Sequence, residues 1–100
     1  MLEAATEACE MIANETRTSL DSDRKLSLAL VQLIEIVGEA ASRVSQDQQS
    51  QLLGIPWRSV IGMRNRMVHA YFDVDLDIVW KTVTEDLPPL IDELEEILAK

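Results

Sequence analysis

The sequence predicts an all-α domain, and three observations carry that prediction. Only three Gly and three Pro occur in 100 residues, too little turn material for a β fold of many short strands. Apolar residues make up 47% of the chain, with Ala, Leu, Ile and Glu plentiful. Those apolar residues recur at the 3.6-residue helical period along most of the length. The size suits a single hydrophobic core, so residues 1–100 are expected to form one domain without a second lobe.

Taken in order, residues 2–14 place Leu2, Ala5, Cys9 and Ile12 at helical spacing, with Glu3, Glu7 and Glu10 on other faces. This first amphipathic helix fades in the polar run 14–19. Asp21-Ser22-Asp23 offers an N-cap, and a longer helix follows to about Val44. Leu26, Ala29, Leu30, Leu33, Ile36, Val37, Ala40 and Val44 form its main apolar stripe. Leu28 and Val31 lie on the other side, which points to a second covered face and hence to self-association, burial under the first helix being the alternative. Gly38 within this helix costs about 1 kcal/mol against Ala and marks a candidate close helix approach. Glu39 projects away from the stripe, either solvated or as the partner of a buried Arg.

Residues 45–53 suit a short capped helix, ended by Gly54-Ile55, and Pro56 suits the first turn of the next. That helix is expected to run to Phe72. Asp73-Val74-Asp75 reads as a turn and cap before a helix over 76–86 carrying Leu76, Val79, Trp80 and Val83. Pro88-Pro89 is expected to interrupt it, with Leu90, Ile91, Leu94, Ile97 and Leu98 forming a last helix.

The net charge of −9 is unusual for a nucleic-acid binder, but its distribution is uneven. Residues 1–47 carry net −5 and residues 73–100 net −7, whereas residues 48–72 hold no acid and three Arg. One small cationic site in an acidic body suits a few phosphates of a short or single-stranded RNA, and not duplex DNA. Cys9 is the only cysteine, so there is no disulfide framework and no multi-cysteine metal site. No basic leader precedes an apolar run and no stretch approaches membrane-spanning length, so a cytoplasmic protein without a membrane partner is expected.

The cationic stretch also holds the only His and the only Tyr, in Arg64-Asn65-Arg66-Met67-Val68-His69-Ala70-Tyr71. On a helical wheel Trp57, Val60, Ile61, Met67, Val68, Tyr71 and Phe72 form an apolar arc with Arg64 near its centre. A charge buried there requires a partner. His69 falls about 140° around the wheel, beside Asn65, so Arg64 and His69 do not share a face of one straight helix. A bend, or a twofold copy of the chain, would bring them together.

Two His and two Arg in one dimer cleft have a chemical use. Cleaving RNA without a metal needs a base for the 2′-OH proton, an acid for the leaving 5′-oxygen and positive charge on the phosphorane. His titrates near neutrality and suits both proton roles, and Arg64 suits the phosphate. Clustered His, Cys and acid ligands are missing from the sequence, which disfavours a catalytic metal. On spacing alone such a His is more often a hydrogen-bonded structural residue, and Tyr71 more often core.

Ile55-Pro56-Trp57 followed by Gly62-Met63-Arg64-Asn65-Arg66-Met67-Val68-His69-Ala70-Tyr71 resembles the HEPN toxins (HepT-like) of the HEPN/MNT toxin–antitoxin systems. Gly38-Glu39-Ala40, the stretch from Asp75 to Trp80, and Leu87-Pro88 also match that pattern, so the resemblance spans nearly the whole chain. It implies an antiparallel four- to five-helix bundle that forms a homodimer, and a metal-independent endoribonuclease cutting tRNA or mRNA. Carried over, Arg64 and His69 are catalytic, Asn65 supports them, and Glu39 lies in a matched motif. Tyr71 becomes the acceptor to which an MNT-type nucleotidyltransferase antitoxin transfers AMP, using ATP and Mg²⁺; the ribonuclease itself needs no cofactor. The other reading is a non-catalytic helical subunit that docks a nucleotidyltransferase.

Overall fold

The structure is a computed structural model that describes residues 1–67 and 73–99. Its helices are α1 (Leu2–Met11), the single turn α2 (Ser19–Ser22), α3 (Arg24–Ser42), α4 (Gln46–Gln51), α5 (Trp57–Ile61), α6 (Met63–Met67), α7 (Leu76–Lys81) and α8 (Leu87–Leu98), with a π-helical turn over Thr82–Asp86 joining the last two. No strand occurs among these elements, and the protein is all-α as its composition predicts. The described residues pack as four helical bodies: α1, α3, the α5–α6 pair and the α7–α8 run. No helix among the described residues is long and apolar enough to cross a membrane.

The longest helix, α3, starts where the sequence places its cap. Asp23 is extended, and its carboxylate accepts the Leu26 N–H at 3.1 Å, satisfying a donor the helix cannot. Ser27 Oγ donates to the Leu20 carbonyl at 2.6 Å and ties α2 to the first turn. Leu26, Leu30, Leu33, Ile34, Val37 and Ala41 are buried. This arc is rotated from the expected stripe: Ile34 and Ala41 enter the core, whereas Ile36 is 42% exposed. α3 packs against both α1 and the α5–α6 pair, and the residues it turns toward the shared core include Ile34 and Ala41. Small Ala4, Ala5 and Ala8 let α1 lie close against α3 and α8.

The stretch expected to form one helix from Pro56 is divided. Gly62 separates α5 from α6, and Trp57, Val60, Met63 and Met67 are the residues buried along the pair. The Trp57 indole N–H donates to the Leu52 carbonyl at 3.0 Å and anchors the start. At the crossing with α3, a Cβ built on Gly38 would lie 3.4 Å from the Ile61 carbonyl oxygen and 3.5 Å from that of Val60. The close approach expected at Gly38 is therefore present, with room for one methyl group.

Pro88 and Pro89 do not interrupt the last helical run; they occupy the first turn of α8. Proline lacks an N–H and its ring presses on the carbonyl four residues earlier. The chain accommodates this by widening the turn just before the prolines into the π register, where the Leu87 N–H reaches the Thr82 carbonyl. Thr82 and Thr84 hydroxyls donate to the Ile78 and Trp80 carbonyls, both at 2.8 Å. The Cys9 thiol of α1 faces the same turn, 3.6 Å from the Val83 carbonyl, and burial pushes its pKa up.

Two outcomes follow from this packing. Gly38→Ala should stabilise the fold by about 0.5–1 kcal/mol, since helix propensity improves and the methyl meets only van der Waals contact; a lower melting temperature would refute the spacing, and Gly38→Leu should lower it by displacing α5. The raised Cys9 pKa favours the protonated fold, so its stabilising share is complete below the unfolded thiol pKa and is lost as pH rises through the folded one. Cys9→Ala should flatten that alkaline decline, and a thiol reagent at mildly alkaline pH should label native protein far more slowly than denatured protein.

Candidate functional site

Burial of Met63 and Met67 sets the roll of α6 and leaves Arg64, Asn65 and Arg66 exposed. The sequence placed Arg64 at the centre of the apolar arc. In the structure its side chain is 51% exposed, because the step at Gly62 turns Met63 into the core position that a straight helix would give Arg64. Arg64 Nε donates to Glu35 Oε1 of α3 at 3.0 Å. The partner is thus Glu35 and not Glu39. Sequence reasoning passed over Glu35, although the signal was present: it and Glu39 are the two acids of α3, and both face away from its buried arc.

Glu39 is exposed and pairs one turn along with Arg43, whose Nε and Nη2 lie 3.1 and 3.0 Å from Glu39 Oε1. Arg64 and Glu39 nevertheless share a site. Gln32, Glu35, Ile36, Glu39, Ala40, Arg43 and Arg64 line one open groove of about 500 Å³ along the outer side of α3. Its two cations are balanced by two carboxylates, so the groove is close to neutral while the body of the protein is strongly acidic. Arg66 lies apart from the groove: Nη1 donates to Ser59 Oγ at 3.1 Å and Nη2 stands 3.9 Å from Asp86 of the π-helical turn.

His69 and Tyr71, the other residues singled out by the sequence, lie outside the described residues, as do Val68 and Phe72. The chain on either side of them is well tied. The Asp75 N–H donates to the Met67 carbonyl at 2.8 Å, and the Asp75 carboxylate caps α7 by accepting the Asp77 and Ile78 N–H groups at 3.0 and 3.2 Å. Arg17, ahead of α2, reaches the same end of α7: its Nε donates to Asp77 Oδ1 at 2.7 Å, and this bond, with further help from Asp21, raises the guanidinium pKa.

A second open groove at the other end of α3 is lined by Leu20, Arg24, Leu28, Val31, Val74 and Leu76, among others. Leu28 is 52% exposed, and with Ile36 it leaves apolar surface on the uncovered side of α3. Of the face predicted from Leu28 and Val31, Leu28 is exposed and Val31 is partly buried against the core.

The sequence model of the family described as Ribonuclease HepT-like matches residues 1–97. A Thermococcus cleftensis protein named "Probable ribonuclease HepT" is 38% identical over 100 residues, which is 96% of this chain and 91% of that protein. Proteins of Methanocaldococcus jannaschii and Caldanaerobacter subterraneus subsp. tengcongensis, each named "Putative RNase", are 30% identical; the alignments cover 95% and 99% of this chain and 87% and 92% of theirs. No solved structure matches the chain.

A half-exposed ion pair contributes little to folding. Arg64→Ala should therefore change stability by less than about 1 kcal/mol, measured by urea unfolding. A loss of several kcal/mol would show instead that Arg64 is a structural ion-pair residue.

Proposed function

This chain belongs to the HepT-like ribonuclease family, and from that premise we propose that it is a metal-independent endoribonuclease acting as a twofold dimer. The observation that carries the reading is Arg64: it is displayed in an open groove at half exposure, where a residue kept only for the core would be enclosed. Two copies of the chain bring two Arg64 and two His69 to one seam. The uncovered side of α3, with Ile36 in this groove and Leu28 in the groove at the other end of the helix, supports that seam as the dimer surface.

In the proposed reaction one His69 takes the proton from an RNA 2′-OH, and the 2′-oxygen attacks phosphorus. The bond to the 5′-oxygen breaks, the partner's protonated His69 supplies that oxygen with a proton, and a 2′,3′-cyclic phosphate and a 5′-OH result. Arg64 holds two phosphate oxygens and stabilises the charge that gathers on them. Asn65, exposed next to Arg64, supports binding of the substrate, and Glu39 shapes the groove. The acidic surround restricts the substrate to short or single-stranded RNA such as a tRNA loop or mRNA.

In this reading the protein is the toxin of a HEPN/MNT pair. The Tyr71 hydroxyl attacks the α-phosphorus of ATP in the antitoxin's Mg²⁺ site, pyrophosphate leaves, and the attached AMP blocks the cleft by charge and bulk. A second reading has one observation behind it: Glu35 and Glu39 balance the groove's cations and the chain carries −9, which suits a subunit that docks a nucleotidyltransferase without cutting RNA.

The two separate cleanly. Purified protein incubated with tRNA or mRNA in EDTA should cut it, and Arg64→Ala and His69→Ala should each reduce the rate at least a hundredfold. Equal cutting by wild type and variants would remove the assigned site. Antitoxin binding without any RNA cleavage would favour the docking subunit. Light scattering should give a dimer at tens of micromolar, and incubation with the nucleotidyltransferase and ATP should raise the intact mass in AMP steps that Tyr71→Phe abolishes.

A further inference from the structure

An arginine offers two hydrogen-bonding edges, a side edge that includes Nε and an end edge formed by the two terminal nitrogens. The three arginines around the candidate site use them differently. Arg43 spends its side edge, Nε with Nη2, on a single Glu39 oxygen. Arg66 turns both terminal nitrogens to protein groups, Ser59 and Asp86. Arg64 donates from Nε alone, to Glu35 Oε1, and no other hydrogen bond or ion pair joins it to the described residues. Among the described residues its end edge is free, and its side chain lines the groove.

We propose that Glu35 is a positioning residue for Arg64: it holds the guanidinium by Nε so that the two terminal nitrogens are presented together to a phosphodiester. The consequence for catalysis rests on the cleavage reading above, while the positioning itself rests on the geometry. Four rotatable bonds separate an exposed guanidinium from its backbone, so an untethered Arg64 would sample many orientations, and ordering it at each turnover would slow the reaction. Glu35 supplies that order beforehand. It stands on α3, whose backbone is fixed by the core residues Ile34 and Val37 on the opposite side, and its own side chain is only 32% exposed. The same carboxylate lowers the positive charge of the groove, so its benefit falls on turnover and not on RNA affinity.

The experiment compares wild type with Glu35→Ala and Glu35→Gln, the latter retaining an oxygen that accepts from Nε without the charge. Positioning predicts that Glu35→Ala loses kcat by on the order of tenfold with KM unchanged or lower, and that Glu35→Gln recovers most of it. The Arg64 Nε–H resonance, assigned through Arg64→Lys, should be protected from exchange in wild type and Glu35→Gln and lost in Glu35→Ala. Melting temperatures should stay close to wild type throughout. If both variants cut RNA faster, Glu35 is a competitor of the phosphate and the proposal is overturned; an Arg64 Nε–H equally protected in Glu35→Ala overturns it as well. Should wild type cut no RNA, the cleavage reading fails alone. The Nε–H resonance then decides the positioning, with inorganic phosphate as the probe whose titration shifts the Arg64 signal in wild type and not in Glu35→Ala.

Discussion

The contact between α5 and Gly38 of α3 is the constraint on which the geometry of the site depends. Carbonyl oxygens of Val60 and Ile61 lie against the one position of α3 that has no side chain, so α5 can come close enough for Val60 to enter the core. Trp57, hydrogen-bonded to the Leu52 carbonyl, secures the other end of α5. With α5 held, the step at Gly62 decides the roll of α6: Met63 and Met67 go inward, and Arg64 is carried to the outer edge of α3, where Glu35 stands. A chain of packing choices thus delivers one guanidinium to one carboxylate, although neither residue belongs to the core.

This arrangement accounts for how a chain of net charge −9 can present a cation to a polyanion. The groove does not rely on a broad positive field, which the acidic α8 and α1 would oppose at a range of about 8–10 Å in physiological salt. It relies on local geometry, with each Arg held by a carboxylate one side chain away. Such a site discriminates by shape and by the direction of its donors more than by long-range attraction. The proposed dimer seam and the proposed preference for short RNA are consistent with that physics.

The π-helical turn before Pro88 shows the same interplay of local rule and tertiary context. Two adjacent prolines end most helices, and the sequence predicts an interruption at Pro88-Pro89. Here the residues on either side, Val79, Val83, Leu87 and Leu90, are all buried in one core. Their burial outweighs the cost of one irregular turn, and the run from Leu76 to Leu98 stays helical. Asp86 in that turn lies within reach of Arg66, so the irregular backbone also faces the cationic helix.

Sequence alone determined the helical class, the caps at Asp23, Ser45 and Asp75, the break after residue 53, and the cationic stretch around Arg64, because these follow from local chemistry: short polar side chains satisfying free N–H groups, and charge counted along the chain. Family membership was legible too, since it rests on the order of motifs and not on their contacts. Tertiary structure decided which face of α3 is buried, that Ile34 replaces Ile36 in the core, that Arg64 is half exposed, and that its partner is Glu35. A helical wheel assumes a straight, unrotated helix, and the roll of each helix is set by neighbours distant in sequence. Glu35 and Arg64 are 29 residues apart and meet because a small residue at position 38 lets α5 approach and the chain steps at Gly62 into α6.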